Sequence, residues 1–153
     1  MEETIFNYFW LVAIAVNALN AVIFWVRSQP DIQKNPDLRP GYVRLIRSFF
    51  VGMSIPWIVM GIGMTIGGVS KITDYFYPRT GNQFVIAFWV SIWALIILSS
   101  YWIWFRGGAE QFIKYPGVFK GSPNNPQTIK LMWLLSLIGD IVVQVIIFSL
   151  EPR

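Results

Sequence analysis

Four long apolar runs, at about residues 5–26, 49–69, 84–105 and 129–150, alternate along this chain with short stretches rich in proline, aromatic and charged residues. At about 1.5 Å per residue, each run is long enough as a helix to cross a hydrocarbon core of about 30 Å. Trp25 and Arg27 close the first run, and Trp102, Trp104 and Arg106 close the third. Aromatic rings and snorkelling cations of this kind mark membrane–water boundaries. The pattern predicts an all-α integral membrane protein: four transmembrane helices in an up-down bundle, both termini outside. Met1-Glu2-Glu3 supplies no basic stretch, so no cleaved leader is expected.

Within the runs, proline and glycine mark special places. Asn35-Pro36-Asp37 has the order of a helix start, with Asn as cap, Pro at the first position and an acid in the first turn. A second start at Pro40 is an equal alternative, and Asn125-Pro126 repeats the signal before the fourth run. Pro56 predicts a kink in the second span. Met60 to Gly68 holds Gly61, Gly63, Gly67 and Gly68, with Gly63 and Gly67 as a GxxxG pair. Two readings are open: helix contact through small residues, or an unwound segment that exposes carbonyls to an ion. The hairpins 1–69 and 84–153 share faint features, which a duplication would explain. Most membrane spans carry such features too.

Composition agrees with the pattern. The 153 residues are 55% hydrophobic and 13% charged, against about 25% charged in soluble domains. Cysteine and histidine are both absent. That removes disulfides, thiol chemistry, ordinary haem or zinc ligation and an imidazole base, so no cofactor and no metal site is expected. Asp74, Glu110, Lys71 and Lys114 are scattered in loops without paired-carboxylate or nucleophile–base spacing, so a membrane enzyme is the least favoured class.

The net charge of +4 is explained by topology and not by nucleic acid. Arg27, Lys34, Arg39, Arg44, Arg47, Arg106, Lys114, Lys120 and Lys130 fall on one side; Lys71, Arg79 and Arg153 fall on the other. Nine cations against three predict that loops 27–48 and 106–128 are cytoplasmic in a bacterial-type inner (plasma) membrane.

One carboxylate, Asp140, lies deep in an apolar run. Ser136, Asp140 and Gln144 recur every four residues, which places them on one helix stripe. Counting depth from the span ends puts Asn17 near the level of Asp140. Asn20 and Ser136 fall a turn nearer the cytoplasm, Ser91 and Gln144 a turn outward, and Thr65 a little further out. Every Lys and Arg sits at a span end, so the expectation is a polar column, drawn from all four spans, with no cation beside its acid. A charge at that depth costs about 2.5–3.5 kcal/mol on insertion scales and must face protein or water. The column predicts a channel- or transporter-type protein. Four spans can scarcely wall a pathway, so a homo-oligomer in the lipid bilayer is expected. The alternative is a non-catalytic accessory or assembly subunit of a larger membrane complex.

Overall fold

The computed structural model describes residues 7–78, 81–116 and 125–149. Helix α1 runs Phe9–Lys34, α2 Arg39–Thr65, α3 Gln83–Phe105, the short α4 Gly108–Lys114, and α5 Pro126–Ser149. No strand occurs among the described residues. Helices α1, α2, α3 and α5 are each long and apolar enough to span a membrane, so the predicted all-α, four-span architecture is the one observed.

The first hairpin extends beyond its apolar runs. Helix α1 continues eight residues past the predicted end at 26, and α2 begins at Arg39 instead of 49. Packing is the reason. Ile32 and Tyr42 are buried against one another with Phe24, Trp25, Leu38 and Ile46 around them, so the polar turns are held helical by a small core of their own. The turn between them uses both predicted start signals. Asn35 is extended, its side chain accepts the Asp37 N–H at 3.2 Å, and Pro36–Leu38 form a 3-10 turn. Pro40 then sits in the first turn of α2, where its missing N–H costs no hydrogen bond.

At its other end α2 stops in a turn closed by a left-handed glycine. The Val69 N–H reaches back to the Gly63 carbonyl at 3.1 Å, and Gly68 takes the left-handed conformation at φ 71°. The chain continues into a 3-10 helix, Ile72–Phe76, whose start is tied by the Lys71 N–H donating to Asp74 Oδ2 at 3.0 Å. Asn82 caps α3 by accepting the Phe84 N–H at 2.9 Å. Asn125 caps α5 by accepting the Gln127 N–H at 2.8 Å, so the second Asn-Pro signal does start a helix.

The long helices pack in chain order: α1 on α2, α2 on α3, and α5 on α3 and α4. Aromatic rings join them near the Gly68 end. Phe9 meets Trp57 (5.8 Å between ring centres), Trp57 meets Phe88 (6.0 Å), and Trp89 meets Phe148 (4.8 Å), all edge to face. Each such pair contributes about 0.5–1.5 kcal/mol beyond area burial. Specific packing matters here because lipid tails are as apolar as the side chains and give helices little hydrophobic reason to associate. Outer faces stay open: only 6% of the apolar window of α1, and 6% of that of α5, is buried within the chain.

Candidate intramembrane polar site

Helix α5 turns one stripe inward. Trp133, Leu137, Asp140, Gln144, Ile147 and Phe148 are at least partly buried, whereas Leu135, Ser136, Val143 and Val145 are exposed. The stripe is held against α3 at both ends, by Trp133 Nε1 donating to Ser100 Oγ at 3.0 Å and by the Phe148–Trp89 ring contact. Between those anchors sits the acid. Gln144 Nε2 donates to Asp140 Oδ2 at 2.7 Å, and Gln144 itself is only 4% exposed. Its carbonyl oxygen Oε1 is buried without a hydrogen-bond partner, a condition shared by Trp10 Nε1 and Ser54 Oγ among the described residues. No cation pairs with Asp140 among the described residues; the ion pair found there joins Lys130 to Glu110 at 3.8 Å, at the start of α5.

The other members of the predicted column are placed differently. Asn17 is buried on α1 and donates from Nδ2 to the Met53 carbonyl of α2 at 2.9 Å. This bond lies beside Pro56, which removes the helical donor for the neighbouring Gly52 carbonyl. The bond goes to the Met53 carbonyl, so it ties α1 to α2 and does not replace the donor lost at Gly52. Asn20 is half-buried one turn along α1. Ser91 donates to Phe88 O at 2.6 Å and Ser136 to Met132 O at 3.0 Å, each within its own helix, and Ser136 is exposed. Thr65 is also exposed and donates to the Gly61 carbonyl at 2.8 Å. It lines an open cavity of about 610 Å³ with Asn7, Trp10, Gly68 and Ser70. Among the described residues, the hydrogen bond that joins two members of the column is therefore Gln144–Asp140.

The glycines work as seats for aromatic rings. A methyl group on Gly61 would overlap Trp10 of α1; on Gly63 it would overlap the Tyr75 hydroxyl and Phe84; on Gly67 it would overlap Phe84. The helix remains α-helical through this segment to Thr65. Gly68 serves the left-handed cap instead and has open space where a Cβ would lie.

Two polar clusters lie outside the predicted set. Tyr75 is 1% exposed and donates to the Met60 carbonyl at 3.0 Å, while its own carbonyl accepts Trp89 Nε1 at 2.7 Å. Burial, with the Asp74 carboxylate a smaller contribution, pushes its phenol up to about 12. At the opposite end, the Tyr42 hydroxyl donates to the Pro116 carbonyl at 2.7 Å and lies 3.2 Å from Asp31 Oδ2. Tyr115 rests on Gly41, so this clasp brings the end of α1, the start of α2 and the segment after α4 to one point. The signal available for Tyr75 was the pairing of a glycine stripe on α2 with an aromatic cluster a few residues later. For Asp31 and Tyr42 no pattern pointed to Pro116. Compared with known proteins, the chain matches no family model, no curated protein and no solved structure.

Proposed function

We propose that this is a small channel- or transporter-type membrane protein that works as a homo-oligomer, with Asp140 and Gln144 on its path. The observation that carries the reading is a half-buried carboxylate near the middle of a span, bonded to a buried amide and without a cationic partner among the described residues. Intramembrane acids are costly and gather at substrate and ion pathways. The homo-oligomer follows from the small buried share of α1 and α5, since one copy encloses little of any pathway. The basic loops 27–48 and 106–128 are assigned to the cytoplasmic face of a bacterial-type inner membrane by the positive-inside rule.

Flux into liposomes containing the purified chain tests the proposal. Flux of at least one of Na⁺, K⁺ or H⁺, reduced in Asp140→Asn, is expected. No flux of any of them overturns the reading, and stable co-purifying proteins after gentle solubilisation would favour an accessory subunit of a larger complex.

A further inference from the structure

The chemistry of the Asp140–Gln144 pair limits what it can bind. An ionised Asp offers acceptor oxygens and no donor; Gln offers one acceptor oxygen and two N–H donors. One of those donors is directed at Asp140 Oδ2. What remains is a surplus of oxygen lone pairs: Asp140 Oδ1, part of Oδ2, and the whole of the buried, unpartnered Gln144 Oε1. Among the described residues no cation pairs with Asp140 to balance them. Helix α3, against which α5 packs, has no charged residue between Gln83 and Phe105, and its Tyr101 is exposed. Helix α4 brings Glu110 and Lys114, of which Glu110 pairs with Lys130, ten residues before Asp140 in the sequence. A half-buried carboxylate with excess acceptors is stabilised by a cation, and its own negative charge opposes an anion there.

Charge then sets the valence. A single carboxylate cancels one positive charge, whereas a divalent ion would carry a net charge of +1 into hydrocarbon. Carboxylate and amide-carbonyl oxygens suit hard cations. We propose that Asp140 and Gln144 form a binding site for a small monovalent cation. Gln144 provides a neutral carbonyl ligand and, through its N–H, fixes the rotamer of Asp140. The site deepens the transport reading by naming the class of ion, and it can be tested apart from transport.

The test is thermal unfolding of the full chain in detergent at fixed ionic strength, titrated with Na⁺ or K⁺ and with choline as a bulky control. A concentration-dependent rise of Tm with Na⁺ or K⁺ but not choline is expected. Half-maximal concentrations should increase by about tenfold or more in Asp140→Asn and in the volume-matched Gln144→Met. Ser136→Ala, an exposed change on the same helix, should leave the response intact. An identical response to choline, no response to any cation, or an unchanged response in both variants overturns the site. Gel filtration of each variant separates lost binding from lost folding. Liposome flux separates the two proposals: cation binding without flux removes the transport reading and leaves the site, whereas flux indifferent to both substitutions removes the site and leaves transport.

Discussion

A methyl group at Gly63 would overlap the Tyr75 hydroxyl and the Phe84 side chain, while the space beside Gly139 is open within 4 Å. Gly63→Ala should therefore lower stability by about 1–3 kcal/mol through overpacking. Gly139→Ala should be neutral or raise it by up to about 1 kcal/mol through helix propensity. Unfolding midpoints in detergent check both. Tyr75 adds a pH signature. Its folded pKa is raised from 10.0 to about 12, so its contribution is fully present below pH 10 and fades as pH climbs towards 12. Tyr75→Phe should remove that part of the alkaline decline, which the difference in Tm between the two proteins across this window would reveal. At this scale the sequence was only partly legible. Ser136, Asp140 and Gln144 fit an every-four pattern, yet each step of four drifts by about 40° around a helix. Over eight residues the drift is about 80°, enough to put Ser136 on the exposed face and Gln144 in the packed one.

At the scale of helices, hydropathy located all four spans but not their ends. The runs end where lipid ends; the helices end where their packing does, as Ile32 and Tyr42 show beyond the first two runs. Glycines were read as sites of close approach. What approaches is aromatic, because Trp10, Tyr75 and Phe84 all lie near the same end of α2. Asn17 was legible as an intramembrane polar residue, but its partner is a backbone carbonyl, which leaves no trace in a side-chain pattern. Asn17→Leu should cost about 0.6–1.7 kcal/mol, the range found for hydrogen bonds between membrane helices. Asn125→Ala should cost about 1 kcal/mol by removing the cap of α5. Chemical denaturation in mixed micelles measures both.

Across the whole molecule, the Tyr42–Pro116 clasp places the segments around residues 31–42 and 115–116 at one end, with the Tyr75 cluster and the Gly68 turn at the other. The absence of cysteine makes sidedness directly testable. Single-cysteine variants at exposed Lys34 and Lys71 should be labelled by an impermeant maleimide from opposite faces of sealed vesicles, Lys34→Cys from the cytoplasmic face. Labelling of both from one face would overturn the topology. The order of packing also bears on biogenesis. Because α2 meets α1, and α3 meets α2, the partner of each of these spans precedes it in the chain and is already made when the span emerges. The Tyr42–Pro116 bond is different, since it closes across 74 residues. A nascent chain ending after α3 would already own most of its interhelical contacts, and the clasp can close only once the segment after α4 has been made, ahead of α5.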